Sequence, residues 1–573
     1  MFAVFSVPAR RRTLLVDAAV ALGVGLLFYL VIRVGSGTMA PLGGDDSLDR
    51  ISTDPSVLPY YAARTLLRMF AALALSVVFT AVVGTLAARS RRAEKIILPA
   101  LDILQSVPIL GFLSVTVTGF MALSPGSTLG VEFASVFAIF TSQAWNMAYA
   151  WYQALRVRPR ELDEAATTLG LTRWQRFWRL DAPSTTIPLL WNGMMSFGGG
   201  WFFVVAAEAI SVGNRTYALP GIGSYVAAAT ARAEADRLLL AVGTMVLLVL
   251  VVNVLFWRPL TAWAERFRVE ETEAGAAPRS LVLDLLRRAS LPRRLGAALG
   301  PVAEGLDRAA RVFGRPGTRW APPRARRRAG DLALLVAVLG LLAWGSVSAV
   351  DYLAGTVTWA ELGHVAWLGL VTFARVVPVV VVASLVWVPL GVWIGLHPKV
   401  SRLAQPVVQV FASFPATFLF PLCTALLIST QVSLDWGGVL LMSLGAQWYV
   451  LFNVIAGASA IPADLREAAA DLGVRRWLWW RRLVLPAVFP AWVTGALTAA
   501  GGAWNASIVS EVVTYGSDRL EATGLGAYIS TATAASDFPH LLVGVAVMSA
   551  YVTALNSLCW RPLHAFAQRR FSL

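Results

Sequence analysis

The sequence predicts an all-α membrane protein with about 12 transmembrane helices, arranged as two tandem six-helix halves. Of its 573 residues, 57% are hydrophobic and 14% are charged, whereas a soluble domain is nearer about 25% charged. Apolar runs long enough to cross a bilayer recur along the whole chain. The second half also repeats the first, with a shift of 303 residues over most of its length.

Six apolar runs in each half reach the length of about 20 residues that a spanning helix needs. Prolines inside the third run of each half, Pro108 and Pro415, predict a kink there. The predicted spans lie at about 14–34, 65–88, 97–122, 132–156, 184–212 and 238–257, then 331–350, 368–396, 404–428, 437–459, 487–514 and 540–560.

The distribution of arginine predicts the orientation, because basic residues near helix ends remain on the cytoplasmic side. Arg10, Arg11 and Arg12 precede the first span, and the acidic loop 35–63 follows it. Six spans per half then place both termini in the cytoplasm. The first apolar run is too long for a cleaved signal peptide and is interpreted as a signal anchor.

The composition also excludes several classes of function. The net charge is +15, but the basic residues fall between apolar runs, so topology explains them better than nucleic-acid binding. With Lys95 and Lys399 as the only lysines, no segment forms a P-loop, and ATP binding of that kind is excluded. Four histidines and two cysteines form no metal or catalytic motif, so an enzyme is not expected.

The repeat extends over paired positions in both halves. The outer loop between the third and fourth spans differs in length by four residues, so the shift is 307 residues upstream of it. The paired residues include Thr65 and Thr372, Arg68 and Arg375, Trp201 and Trp504, Glu208 and Glu511, Gly221 and Gly524, and Gly223 and Gly526.

A polar stretch between the fourth and fifth spans is the most specific repeated motif. In the first half it is Glu164-Ala165-Ala166 followed by Gly170, and in the second Glu467-Ala468-Ala469 followed by Gly473. The spacing of apolar residues predicts a short helix, and each glycine allows a turn before a second helix rich in arginine and tryptophan. The alternative is an ordinary loop helix at the membrane interface.

This stretch resembles the EAA loop of the permease subunits of ABC importers, in the nitrate, sulfonate, taurine and bicarbonate branch. The resemblance covers about 60–260 and 365–565. It implies two tandem ABC type-1 permease domains in a bacterial plasma membrane. It also implies that Glu164, Ala165, Ala166, Gly170 and their twins contact two ATPase subunits, or one tandem ATPase, which carry ATP and Mg. No cofactor is expected in this chain.

The resemblance further implies that an external binding protein delivers a small solute, and the branch suggests an anion. The alternative function is a membrane scaffold or sensor that binds an ATPase partner through its EAA loops without transport. The predicted domains are 1–60 (first helix and outer loop), 61–260 (first permease domain), 261–330 (cytoplasmic arginine-rich linker, or less readily a small sensing domain), 331–365 (seventh helix and outer loop) and 366–565 (second permease domain).

Several intramembrane residues are candidates for the pathway. Glu208 and Glu511 either act beside the cavity or make interhelical hydrogen bonds near the outer interface. Trp201 and Trp504 either line the cavity or anchor the interface. Asn146 and Tyr449 occupy the same position in the two halves, which predicts an asymmetric cavity. The adjacent glycine pairs are candidates for close packing or substrate contact, and Arg68 and Arg375 for attracting an anion or for snorkelling.

Overall fold

The computed structural model describes residues 48–107, 109–212, 215–267, 281–288 and 324–571, together with a few single positions outside these ranges. The predicted first span, 14–34, and most of the linker lie outside the described residues. Within the described part of the linker, one short helix lies where the sequence predicts a helical patch near 280–290.

The first half and its adjoining linker contain eleven helices and one β-hairpin among the described residues. They are α1 (Leu58–Arg89), α2 (Arg91–Ser106), α3 (Ile109–Leu123), α4 (Leu129–Val157), α5 (Arg160–Thr168), α6 (Arg173–Arg176), α7 (Ala182–Glu208), β1 (Ala209–Val212), β2 (Arg215–Ala218), α8 (Ile222–Ala231), α9 (Ala235–Val252), α10 (Arg258–Ala264) and α11 (Leu281–Arg288).

The second half repeats this order after one additional long helix. Its elements are α12 (Arg324–Leu353), α13 (Trp359–Leu396), α14 (Pro398–Ser413), α15 (Phe420–Thr430), α16 (Leu434–Ser459), α17 (Ala463–Asp471), α18 (Arg476–Trp479), α19 (Leu485–Ser510), β3 (Val512–Tyr515), β4 (Asp518–Glu521), α20 (Leu525–Ala535), α21 (Phe538–Leu555) and α22 (Arg561–Phe571).

The fold is that of an all-α membrane protein. Eight helical segments among the described residues are long and apolar enough to cross a membrane. Helix α4 has the length but carries more polar side chains and is not among the eight. The eight segments are Pro55–Arg89, Arg173–Glu208, Ala235–Phe267, Val336–Leu353, Trp359–Leu396, Leu434–Ser459, Arg476–Ser510 and Phe538–Phe571.

The third predicted span of each half is wrong as a single kinked helix. An amphipathic helix, α2 or α14, is followed by a shorter apolar helix, α3 or α15. The break has a local cause, because a residue before proline is disfavoured in the helical region. Val107 and Phe414, which precede Pro108 and Pro415 in the sequence, are both extended.

One antiparallel hairpin, which the sequence did not indicate, follows the fifth span of each half. Strand β1 pairs with β2, and β3 pairs with β4. Each hairpin brings the chain back toward the end of the preceding membrane helix, because Leu219 N–H donates to the Glu208 carbonyl and Ala522 N–H donates to that of Glu511. The short helices α8 and α20 then start directly beside these two acidic residues.

One continuous hydrophobic core joins the two halves. Helices α1, α4 and α7 form the packed centre of the first half, and α13, α16 and α19 form that of the second. Across the boundary, α7 packs against α14 of the second half, and α19 packs against α3 of the first. The three-helix centres of the two halves are therefore related by the internal repeat.

Candidate functional site

The first EAA loop (residues 160–180) is a helix, a tight turn and a second helix, as the sequence predicts. Helix α5 ends at Thr168, and Gly170 then adopts a left-handed φ of +61°. The Gly170 and Leu171 N–H groups donate to the Thr167 and Ala166 carbonyls, at 3.0 and 3.1 Å. These two hydrogen bonds form a Schellman motif, which needs glycine or a residue that tolerates positive φ.

The second EAA loop (residues 463–483) has the same turn. Gly473 has a φ of +66°, and its N–H donates to the Ala470 carbonyl while that of Val474 donates to Ala469, at 3.0 and 2.9 Å. The third residue of each Glu-Ala-Ala triplet therefore supplies a carbonyl that closes the turn. The repeated motif specifies one backbone geometry at two places in the chain.

The outward face of each EAA loop is chemically similar. Glu164 and Ala165 are exposed while Ala166 is buried, and the twins Glu467, Ala468 and Ala469 follow the same pattern. Among the described residues neither glutamate makes an ion pair. A leucine beside each turn, Leu169 or Leu472, is 74% or 80% exposed. Exposed leucines on a polar protrusion indicate an interaction surface.

The base of the first EAA loop is held by charged side chains. Asp181, which is 1% exposed, binds Arg158 at 2.8 Å and also pairs with Arg89. Asp163 pairs with Arg158 and binds Arg176 at 2.5 Å. These ion pairs fasten α5 to the ends of α1, α4 and the segment before α7.

The base of the second EAA loop is apolar at the matching positions. At the positions that match Arg89, Arg158, Arg176 and Asp181, the second half has Leu396, Ile461, Trp479 and Val484. Arg466 takes the position of Asp163. Ile461 and Val484 are buried in the common core, with the other two apolar residues packed beside it. The two loops thus share an outward face but are attached to their halves by different chemistry.

Each EAA loop continues into a membrane helix without interruption. A π-helical turn at Phe177–Asp181 joins α6 to α7, and one at Trp480–Val484 joins α18 to α19. A displacement of either loop is therefore transmitted along a single helix to its far end.

That far end carries a buried polar cluster, the first outer cluster (Thr65, Arg68, Glu132, Glu208 and Gly223). Glu208 is 0% exposed. It accepts hydrogen bonds from Thr65 Oγ1 at 2.8 Å, Arg68 Nη1 at 2.7 Å and Gly223 N at 2.7 Å. Arg68 Nε also donates to Glu132 Oε2 at 2.6 Å. Helices α1, α4, α7 and α8 are joined at this point.

The second outer cluster (Thr372, Arg375, Asp435, Glu511 and Ala527) repeats this arrangement. Glu511 is 0% exposed and accepts from Thr372 Oγ1 at 2.8 Å, Arg375 Nη1 at 3.0 Å and Ala527 N at 3.1 Å. Arg375 pairs with Asp435 in turn. The hydrogen bonds are those expected from the interhelical alternative for the two glutamates, and both arginines are buried in the clusters.

The two outer clusters differ in charge. Arg64, 2% exposed, adds a second guanidinium beside Glu132, so two cations meet two anions in the first cluster. Val371 occupies the matching position in the second half, where Arg375 alone meets two carboxylates. The side chain of Asp435 is 48% exposed, so water screens the excess negative charge there.

Two glycines leave room for the buried carboxylates. A Cβ atom at Gly221 would lie 2.2 Å from Glu208 Oε2, and one at Gly524 would lie 2.2 Å from Glu511 Oε2. The repeated Gly-x-Gly motif is thus explained by close approach of an acidic side chain rather than by a special backbone conformation.

The sequence did not identify Glu132 and Asp435 as members of these clusters. They are related by the same 303-residue shift as the other pairs, but Glu and Asp are not identical, and each lies alone near a helix start. Screening the repeat for conserved charge rather than identity would have found them.

Tyr449 lies between the two halves. A Cβ at Gly199 would be 3.9 Å from the Tyr449 hydroxyl, and one at Gly502 would be 3.6 Å from its ring. Gly198 instead approaches Ser413 of the second half, where a Cβ would be 2.9 Å from Oγ. Of the glycine pairs, Gly198 packs closely against the other half, Gly199 and Gly502 border the space around Tyr449, and Gly501 has open space around it.

Other predicted pathway residues lie elsewhere. Trp201 and Trp504 are 1% and 2% exposed inside their own halves. Trp201 borders a small cavity of about 20 Å³ between the halves, and Trp504 stacks on Tyr551. Asn146, the twin of Tyr449, is exposed and donates to Ser196 Oγ at 3.2 Å.

Polar contacts join the halves at both ends. At the end that carries the EAA loops, Arg561 Nη2 donates to Asp102 Oδ2 at 2.8 Å, and Tyr149 donates to Asp102 Oδ1 at 2.6 Å. At the opposite end, Gly516 N–H donates to the Thr230 carbonyl at 2.8 Å. The Asp102–Arg561 contact has no counterpart of the same residue types on the other side of the pseudo-twofold axis, because Gln409 takes the position of Asp102.

The outer end of the second half also carries a histidine between two acids. His540 Nδ1 lies 2.7 Å from Asp537 Oδ1, and its Nε2 lies 3.2 Å from Glu361 Oε1. The imidazole lowers the pKa of Asp537 below its ordinary value. Burial, and then the charge of Glu361, raise the pKa of Tyr528, whose hydroxyl donates to that carboxylate.

Comparison with known proteins adds an independent observation. The model of one family, the binding-protein-dependent transport system inner membrane component, matches the chain twice, at residues 80–262 and 387–571. Among curated proteins, a nitrate import permease protein from Leptolyngbya laminosa is 23% identical over 192 residues, which is 34% of this chain and 65% of that protein.

Two further relatives have similar coverage. A bicarbonate transport system permease protein from Synechococcus elongatus is 24% identical over 150 residues, 26% of this chain and 52% of the relative. A taurine transport system permease protein from Escherichia coli is 24% identical over 180 residues, 31% of this chain and 61% of the relative. The chain thus covers between about half and two thirds of the length of these relatives.

Proposed function

The chain belongs to the family of inner membrane components of binding-protein-dependent transport systems, and from this premise we propose that it forms the translocation pathway of an ATP-driven importer. The two family matches support a pathway built from two domains of one polypeptide. The predicted boundaries of these domains, 61–260 and 366–565, are part of the proposal.

The observation that carries this proposal is the pair of EAA loops with one shared turn geometry and one shared outward face. In each loop the Schellman turn fixes an exposed Glu, an exposed Ala and an exposed Leu in the same relative positions. A partner with two like docking sites fits such a surface. We assign these sites to ATPase subunits, with Glu164, Ala165, Gly170 and their twins at the contact and Ala166 and Ala469 closing the turn.

The ATPase partner is either two subunits or one tandem chain, because one polypeptide supplies both loops. ATP and Mg bind to that partner in this proposal, and the chain itself performs no hydrolysis. When the ATPase sites close, the two EAA loops move with them. Helices α7 and α19 carry this movement past the pathway, since each is continuous with the second helix of its loop.

The outer clusters give each half a fixed point for that movement. They bind three membrane helices and the helix after the hairpin at one level, so the outer part of each half moves as a unit. Glu208 and Glu511 therefore act in the proposal by holding the outer gate together. Trp201 and Trp504 act as packing residues, and Asn146 and Tyr449 remain the candidates for contact with cargo.

The hairpins and the helices after them form the outer surface on which an external binding protein would dock. The named activities of the relatives are nitrate, bicarbonate and taurine transport, which supports a small solute, an anion among others, as cargo. The arginine-rich ends of the membrane helices support an orientation in a bacterial plasma membrane with the EAA loops and both termini in the cytoplasm.

The test is ATPase coupling in the reconstituted complex of the chain, its ATPase and its binding protein. Glu164→Ala and Glu467→Ala, singly and together, should reduce substrate-stimulated ATP hydrolysis, and the double variant should abolish it. Glu161→Ala, on the same loop helix but outside the motif, is the matched control. Unchanged stimulation in the double variant would contradict the permease proposal, and ATPase binding without any transport by the wild-type complex would favour the scaffold or sensor.

A further inference from the structure

The space between the halves is bordered by one accessible stripe on α7 and one on α19. Positions three or four residues apart are accessible on each helix, while most of the residues between them are buried. The two stripes occupy matching positions of the repeat. The first stripe is Trp191, Met195, Gly199, Phe202 and Ala206, and the second stripe is Thr494, Thr498, Gly502, Asn505 and Val509.

Contacts across the boundary show that the first stripe is directed toward the opposite half. Phe202 approaches Gly445, where a Cβ would be 3.5 Å from its ring, and its carbonyl accepts from Thr417 Oγ1 at 3.3 Å. The second stripe borders the same space, because Gly199 lies against the hydroxyl of Tyr449 and Gly502 lies against its ring.

The two stripes have different chemistry at matching positions. Trp191 and Met195 are 47% and 37% exposed, and the residues at the matching positions of the second stripe are Thr494 and Thr498. Phe202 is matched by Asn505. The first stripe thus offers indole, thioether and phenyl surface, and the second offers hydroxyl and amide groups. Neither stripe carries an ionisable side chain.

Two polar groups beside the second stripe lack partners among the described residues. The side-chain oxygen of Asn505 is buried and accepts no hydrogen bond, while its amide donates to the Gly501 carbonyl. The Tyr449 hydroxyl, which reaches the wall formed by Gly199, also makes no hydrogen bond there. A buried polar atom is normally paired, so the unpaired Asn505 oxygen beside the pathway indicates a missing hydrogen-bond donor from a ligand or water.

An inorganic oxyanion is polar over its entire surface, and the first stripe would bury part of it against apolar groups without compensation. An organic solute with an apolar body can bury that body on the first stripe. Its head group then remains free to accept from the Tyr449 hydroxyl and to donate to the unpaired Oδ1 of Asn505.

We propose that the pathway binds an organic solute in one orientation, with its apolar body on the first stripe and a hydrogen-bonding head group against Tyr449 and Asn505 of the second half. This proposal rests on the transport function proposed above and specifies its cargo. The head group is held by one neutral donor, the Tyr449 hydroxyl, and one neutral acceptor, Asn505 Oδ1, and the two halves have unequal roles in recognition.

The experiment measures probe binding to the full chain in lipid nanodiscs without ATPase or binding protein, so its result is independent of ATPase coupling. The probes are benzenesulfonamide, hexanamide and benzamide, which have an apolar body and a head group that both donates and accepts, and nitrate and bicarbonate, which lack an apolar body. Calorimetric titration should give affinities for the first group at least tenfold above those for the inorganic ions.

Two sets of variants separate the contributions. Tyr449→Phe removes one hydroxyl that makes no hydrogen bond within the described part of the chain, so the fold should persist while the affinity for the organic probes falls about tenfold. Trp191→Thr with Met195→Thr copies the second stripe onto the first and should lower the same affinities by tenfold or more without changing those for nitrate. Tyr352→Phe removes a hydroxyl from a side chain on α12 that is 52% exposed and outside both stripes, so it is the matched control and should have little effect.

Equal binding of organic and inorganic probes, or no binding of any organic probe, would overturn the proposal. So would an unchanged organic-probe affinity in Tyr449→Phe that retains the wild-type melting temperature. A failure of this kind leaves the coupling test at Glu164 and Glu467 untouched, whereas failure of that test contradicts the transport function itself.

Discussion

Removing the carboxylate of Glu208 should destabilise the protein much more than removing that of Glu511, although the two residues are twins. Glu208→Gln leaves Arg64 and Arg68 beside the single carboxylate of Glu132, and all three are almost completely buried. An uncompensated buried charge costs about 3–5 kcal/mol. In the second half, Glu511→Gln leaves Arg375 paired with Asp435, so the loss is limited to weakened hydrogen bonds and is expected at about 1–2 kcal/mol.

The assay is the free energy of unfolding of the full chain, measured by denaturant titration in mixed micelles with tryptophan fluorescence. The explanation by charge balance can be tested directly with a second substitution that restores equal numbers of cations and anions in the first outer cluster. Adding Arg64→Val to Glu208→Gln introduces the residue type found at the twin position and leaves one cation with one anion, so about half of the lost stability should return. If Glu511→Gln costs as much as Glu208→Gln, or if the added Arg64→Val costs still more, the charge-balance reasoning is refuted.

Three further substitutions follow from contacts described above. Gly221→Ala places a methyl group against a buried carboxylate and should cost about 1–3 kcal/mol, whereas Gly243→Ala, at a position with open space around it, should cost little in the same unfolding titration. Asp181→Val copies the apolar base of the second EAA loop into the first but removes the partner of Arg89 and leaves the buried Arg158 paired with Asp163 alone, so it should lower the unfolding free energy by about 3 kcal/mol; a stabilised variant would contradict this. Because the folded-state pKa of Asp537 is lowered, its contribution is present above the ordinary carboxyl pKa of about 4 and is lost as the pH falls through the lowered value. The melting temperature of the wild type should therefore drop more steeply below about pH 4 than that of His540→Gln, and parallel curves would be evidence against the contact.

The sequence predicted the elements that depend on local patterns. Apolar runs and arginine positions located the long helices, and the repeat showed that the chain contains two copies of one domain. The turn at Gly170 was also predictable, since a glycine after a short amphipathic helix is a typical end signal. A second local rule explains the error in the third span. Proline disfavours a helical conformation in the residue before it, and this effect outweighed the continuous apolar composition.

The sites that depend on packing could be predicted only in part. Thr65, Arg68, Glu208 and Gly223 were each recognised as repeated residues, but their meeting in one cluster depends on how α1, α7 and α8 pack. The sequence offered two interpretations of Glu208 because a carboxylate near the end of a membrane helix is costly whether it faces a cavity or an arginine. Trp201 and Trp504 were ambiguous for a similar reason, since burial inside a half and exposure to a pathway require the same apolar neighbours.

The contact between Asp102 and Arg561 has a consequence for how such a chain can diverge. In a dimer of identical subunits, every substitution appears twice, and both copies must tolerate it. Here the position matching Asp102 is Gln409, which contacts Met194 of the first half instead. Two copies of the second half would bring Arg561 to Gln409 and find no acid, while two copies of the first would bring Arg258 to Asp102 on both sides. Because the two copies are joined in one polypeptide, the two sides of the boundary can carry different contacts. A pair of second copies would lack the ion pair between Asp102 and Arg561.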